Sequence, residues 1–152
     1  MTNSNDNQKR GGNFVTVGEY LQIVIQFQIE SAQFYHDLKG QTDRRDAVEL
    51  LDILEKQEIH HQRILRAYKV QADPNSILQF PPTLTLAMPV LKSENPTFEE
   101  LLALAIEREI CAAVIYEKAA ERVSGGFRDL LTGLAVFERE HEERLKSLQR
   151  YY

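Results

Sequence analysis

Residues 54–65 read LEKQEIHHQRIL, and residues 134–145 read LAVFEREHEERL. Both stretches carry Glu-x-x-His flanked by leucine at the same distances: Leu54, Glu58, His61 and Leu65 in the first, Leu134, Glu138, His141 and Leu145 in the second. Steps of four, three and four residues keep side chains on one face of an α-helix, so each stretch sets a carboxylate and an imidazole on an apolar stripe. Glu138 follows Glu58 by 80 positions; Tyr116 follows Tyr35, and Glu109 follows Gln28, by 81. The chain therefore reads as two copies of one helical hairpin. The first helix of each copy supplies one polar residue and a tyrosine seven residues later; the second supplies the Glu-x-x-His pair.

Working outward, four long segments show helical periodicity with almost no internal Pro or Gly. The first opens at the capping box Thr16-x-x-Glu19 and stops near Lys39-Gly40, a basic last turn with a C-cap glycine. The second runs from about Asp43 to Gln71. The third opens with Pro96 and a second capping box, Thr97-x-x-Glu100, and fades at Ser124-Gly125-Gly126. The fourth runs from about Phe127 to the end. The inward stripes are Leu21, Val24, Gln28, Ser31, Tyr35 and Leu38; Ala47, Leu51, Leu54, Glu58, His61, Leu65 and Tyr68; Phe98, Leu102, Ala105, Glu109, Ala112, Tyr116 and Ala119; and Phe127, Leu131, Leu134, Glu138, His141, Leu145 and Leu148. Every stripe is apolar at both ends and polar in the middle.

Short loops after the first and third helices make each pair antiparallel neighbours. All five prolines fall in or at the end of the stretch 72–96, a link long enough to run the length of a bundle. A flexible linker between two hairpins is the alternative, but Ile77, Leu78, Phe80, Leu84, Leu86, Met88, Val90 and Leu91 argue that the link packs. The expectation is an all-α four-helix bundle with one long crossover between its second and third helices. It divides into a disordered segment 1–13, a hairpin 16–71, the crossover 72–96 and a hairpin 97–150, the bundle domain spanning 14–152.

Composition narrows the function. A chain of 152 residues is one domain, and 43% apolar with 27% charged residues is the profile of a soluble globular protein. Net charge is −5 with no Lys/Arg block, which excludes the footprint of a nucleic-acid binder. Cys111 is the single cysteine, so neither a disulfide framework nor a Cys₄ metal site fits one chain. No apolar run approaches a membrane span, and the polar residues 1–13 lack the core of a secretory signal. A cytoplasmic location is expected.

The physical question is what tolerates Glu58, Glu109, Glu138, His61 and His141 in the middle of a bundle. An unpaired buried carboxylate costs several kcal/mol, and like charges nearby add to that. No Lys or Arg occupies a stripe position to neutralise them. Bound cations would, and carboxylate with imidazole suits iron, manganese or zinc. The bland readings are a buried salt-bridge network or chance polar residues on an exposed face and, for Gln28, Tyr35 and Tyr116, hydrogen-bonded core groups. Cys111 reads as a small core filler, His36 and His60 as surface residues, and the run Glu138 to Arg144 as a solvated face from which only Glu138 and His141 turn inward. Ile23, Ile25, Phe27, Ile29 and Phe34 make the first helix apolar beyond its stripe, which suggests a homodimer face.

On Glu58-x-x-His61, Glu109 with Tyr116, and Glu138-x-x-His141, the sequence resembles the ferritin-like superfamily, and within it the rubrerythrin branch, over residues 16 to 150. That resemblance implies an oxidoreductase whose carboxylate-bridged pair of irons, two per chain, reacts with peroxide or dioxygen. It implies Glu58, Glu109 and Glu138 as carboxylate ligands, His61 and His141 as nitrogen ligands, and Tyr35 and Tyr116 as donors that orient carboxylates. The sequence departs from the pattern at Gln28, which stands where the family has a first-helix glutamate. A di-metal site with one weak ligand, a mono-metal site and a lapsed site all remain open. Glu30 lies two residues along the helix, about 200° around it, and points away from the stripe. With one cysteine the sequence holds no rubredoxin-like CxxC pairs, so a catalytic protein would draw electrons from another protein. The residues after the fourth helix are too few for the fifth helix of cage-forming ferritins. Iron handling with little catalysis and a structural bundle are the competing functions.

Overall fold

The computed structural model describes residues 13–152. Strand β1 (Asn13–Thr16) leads into α1 (Val17–Lys39); α2 (Arg45–Gln71), strand β2 (Ile77–Phe80), α3 (Phe98–Ala120) and α4 (Gly125–Gln149) follow. The helix α1 packs chiefly on α2, and α3 chiefly on α4, so two helical hairpins build an all-α four-helix bundle with a long crossover between α2 and α3. The expected disordered segment 1–13 lies outside the described residues except for Asn13, whose backbone opens β1. Among the described residues no helix is long and apolar enough to cross a membrane.

Local chemistry sets most helix ends. Thr16 caps α1 with both bonds of the box: its side chain accepts from the Glu19 N–H, and Glu19 accepts from the Thr16 N–H. Thr97 caps α3 by accepting from the Glu100 N–H. Two ends differ from the sequence reading. Helix α3 stops at Ala120, where the Arg128 guanidinium donates to the Ala120 carbonyl at 2.9 Å, and Gly125-Gly126 open α4 rather than trailing α3; Gly125 sits at φ +61°. Gly40 ends α1 at φ −72°, in right-handed backbone that any residue adopts.

The core falls into two apolar layers. One gathers Tyr20, Leu21, Val24, Leu65, Ile115, Ala119, Leu131 and Leu134; the other gathers Leu38, Leu51, Leu54, Leu102, Ala105, Leu145 and Leu148. Each fully buried leucine contributes about 1.5–3 kcal/mol by leaving water. On all four helices the residues between the layers are polar and buried: Gln28 and Ser31 on α1, Glu58 and His61 on α2, Glu109 on α3, Glu138 and His141 on α4.

The crossover is part of the packed structure. Asp73 turns the chain by accepting from the Asn75 N–H and the Ser76 hydroxyl, both at 3.1 Å. The carbonyls of Ser76 and Pro74 then take the first free N–H groups of α1, from Val17 at 2.7 Å and Gly18 at 3.0 Å. A Cβ at position 18 would stand 3.1 Å from the Pro74 Cβ, so glycine permits this approach. Strands β1 and β2 pair antiparallel, Asn13 opposite Phe80 and Thr16 opposite Ile77, and bury Leu78 and Phe80. Leu84, Leu86 and Met88 pack on the first apolar layer, as do Ile23 and Ile29 of α1, while Ile25 and Phe27 are buried. The surplus hydrophobicity of α1 is thus largely absorbed within the chain.

Candidate metal centre

The six polar residues read from the sequence converge at the bundle centre, none more than 2% exposed. Glu58 Oε1 lies 3.1 Å from His141 Nδ1 and 3.4 Å from His61 Nδ1. Glu138 Oε1 lies 3.1 Å from His61 Nδ1 and 3.9 Å from His141 Nδ1. Glu109 Oε2 stands 3.4 Å from His141 Nδ1. Glu58, Glu109, Glu138 and His141 each offer one donor atom, and these atoms all lie within 4.8 Å of one another. The two imidazoles stack with ring centres 5.9 Å apart and planes inclined by 15°.

Around this group lies a hydrogen-bonded frame. The Tyr35 hydroxyl donates to Glu109 Oε1. In the mirrored position the Gln28 amide donates to the Tyr116 hydroxyl at 2.6 Å. His141 Nε2 donates to Gln57 Oε1 at 2.6 Å, which turns Nδ1 toward the carboxylates. Both oxygens of Glu58, Oε2 of Glu109, Oε1 of Glu138, Nδ1 of both histidines and Oε1 of Gln28 are buried without a hydrogen-bond partner. Five of the seven face one another only as imidazole–carboxylate contacts of 3.1–3.4 Å, and buried polar atoms without a well-formed hydrogen bond are rare, so such a group in one place requires an explanation. Oxygen and imidazole donors of this kind fit iron, manganese or zinc.

Charge is shared unevenly across the centre. Burial pushes the Glu58 carboxyl up, but the imidazoles of His141 and His61 outweigh it and hold the group at about 2. Burial pushes His141 down, and the carboxylates of Glu109 and Glu58 outweigh that, raising it to about 9. Glu138 lies well above the carboxylate range, through burial and then repulsion from Glu109 and Glu58. Burial also lifts Tyr35 and Tyr116 well above the usual phenol value, with carboxylates nearby adding to the shift. These shifts favour the charged imidazolium of His141 and the neutral acid form of Glu138.

Residues set aside in the sequence lie elsewhere. Glu30 is exposed and accepts from the Gln26 amide at 3.3 Å; His60 is exposed, and the exposed His36 pairs with Glu55 at 3.3 Å. The Cys111 thiol, half-buried and raised by burial, donates to the Ala87 carbonyl of the crossover. One reading needs correction. Glu142 is 7% exposed, not part of a solvated face, because Arg139 and Lys146 hold its carboxylate at 3.1 and 2.6 Å. Sequence reasoning missed Gln57 because it sits beside the stripe of α2. The available signal was a break in the repeat, since Phe137 occupies the matching position on α4. The Phe137 ring, 44% exposed, meets His61 edge-on with centres 5.1 Å apart.

The sequence matches no family model and no curated protein. Among solved structures it is similar to a hypothetical protein from Pyrococcus furiosus, at 22% identity over 88% of this chain and 87% of that one, with a TM-score of 0.69. It is also similar to a dodecameric thioferritin, the bacterioferritin-related protein from Bacteroides fragilis, at 19% identity over 84% and 80% of the two chains, with a TM-score of 0.67. Likeness at these identities speaks for architecture alone: the chain has a ferritin-like fold.

Proposed function

We propose that this chain is a rubrerythrin-like non-haem iron protein that binds two ions between its helices and reduces peroxide or dioxygen. The supporting observation is the set of seven buried donor atoms on Gln28, Glu58, His61, Glu109, Glu138 and His141 that make no well-formed hydrogen bond among the described residues. Bound ferrous iron would supply the electrons for reducing an oxygen–oxygen bond. In this reading Glu58, Glu109, Glu138, His61 and His141, with Gln28 as a neutral oxygen donor, would hold the ions. Tyr35 fixes Glu109 so that only Oε2 faces inward, and Gln57 fixes the ring of His141. The apolar layers on either side keep bulk water from the carboxylates. If the protein is catalytic, an external electron donor protein would supply reductant, as Cys111 is the single cysteine and makes no CxxC pair. A homo-oligomer, a dimer at least, working in the cytoplasm belongs to the same proposal.

The test is metal analysis of protein purified without oxygen, followed by visible spectra on adding peroxide. Iron bound at the centre, an oxo-bridge absorption band and stoichiometric loss of peroxide are expected. Bound iron with negligible peroxide consumption would redirect the function to iron handling. No transition metal, and no shift in melting temperature with Fe(II), Mn(II) or Zn(II), would overturn the metal reading altogether.

A further inference from the structure

Resting on the metal-binding reading, we infer that the centre holds its two ions unequally: a tight position on Glu109 and His141 with the shared Glu58 and Glu138, and a weak, exchangeable position on Gln28 and His61. The geometry separates the two sides. Glu58 Oε1 and Glu138 Oε1 each lie within 3.9 Å of both imidazole Nδ1 atoms, so these carboxylates span the centre. Glu109 Oε2 meets His141, and together with Glu58 and Glu138 it brings three carboxylates and one imidazole within 4.8 Å. A first cation finds that set already gathered.

The other side has the same framework with weaker parts. Gln28 stands in its hairpin where Glu109 stands in the other. Its Nε2 is committed to the Tyr116 hydroxyl, which leaves Oε1, buried and unpartnered, as a donor without charge. His141 is aligned by the Gln57 amide, whereas the matching neighbour of His61 is the ring of Phe137, which fixes no proton. A second cation also meets the charge of the first with no further carboxylate to offset it. All three differences act in one direction. Loss of one charged ligand and one orienting hydrogen bond separates the two affinities by on the order of a hundredfold or more.

Calorimetric and absorption titration of chelator-treated full-length protein with Co(II) tests this, with melting curves of each ion-free variant to confirm folding. Wild type is expected to show one tight ion, then a second bound about a hundredfold more weakly. Gln28→Glu should strengthen the second event at least about tenfold and leave the first within about threefold, whereas Gln28→Leu should remove the second alone. His61→Ala should likewise spare the first event, and His141→Ala should abolish it. Two equal ions in wild type, a second event indifferent to both Gln28 variants, or a tight event that survives His141→Ala but not His61→Ala would overturn the inference while leaving metal binding intact. Absence of any Co(II) binding by folded wild type would overturn both it and the reading beneath it.

Discussion

Hairpin α1–α2 and hairpin α3–α4 deliver matching residues to the same depth of the bundle, and the surroundings of those residues differ. Tyr35 donates to a carboxylate, Glu109, while Tyr116 accepts from an amide, Gln28. His141 is held by Gln57, and His61 lies against Phe137. In the apolar layers the halves stay alike: Leu51 and Leu131, 80 positions apart, are both fully buried. A repeat can thus keep its packing identical and still make one half of its centre acidic and hydrogen-bonded, the other neutral and aromatic. Packing equivalence carries the fold; the broken equivalences carry whatever is particular to this chain.

The largest effect expected is one in which the halves should not differ. Leu51→Ala and Leu131→Ala each leave a cavity beneath a fully buried side chain and should each cost about 2–5 kcal/mol of unfolding free energy in denaturant titrations. A markedly smaller loss at either position would break the packing equivalence. Next comes Glu109→Gln, which gives both halves a neutral amide. Tight Co(II) affinity should fall by about a hundredfold in calorimetry, and equal weak binding of both ions would sharpen the comparison.

The third prediction concerns pH. His141 is raised to about 9 by Glu109 and Glu58 against the effect of burial, so a cation must displace its proton at neutral pH. Below the shifted value the imidazole is charged and competes with the ion. Affinity for the tight ion should therefore rise by at least about tenfold per pH unit from 7 toward 9, more steeply where Glu138, also raised, gives up its proton to the ion. A flat profile over that range would show that His141 does not ligate through Nδ1. The smallest effects belong to the tyrosines: Tyr35→Phe removes the donor to Glu109 and should weaken the tight ion about tenfold, whereas Tyr116→Phe should change it by less than about threefold. Equal effects would remove the distinction between the hydrogen bonds.

The stripes were legible because helical periodicity and burial are the same fact seen twice. Of the residues read as inward-facing, only Tyr68 and Phe98 are half-buried rather than buried. The convergence of Glu58, Glu109, Glu138, His61 and His141 followed from the same periodicity plus the repeat. The strands were not legible. Phe14-Val15 and Leu78-Gln79-Phe80 are too short to show a period-two pattern, and their pairing is a long-range event that local sequence does not encode. Gln57 and Glu142 lie beside a stripe, where neighbours from another helix or the next turn decide burial. Ala120 ends α3 before the glycines because an arginine eight residues later reaches back to its carbonyl.

The polar plane between the two dry layers has a mechanical consequence. Sliding α2, α3 or α4 by one turn along its neighbours would drive Glu58, Glu109 or Glu138 into a layer of leucines and pull an apolar residue among carboxylates. Both movements are penalised, so the charged plane acts as a latch on axial alignment, singling out one arrangement among several that leucine packing alone would accept.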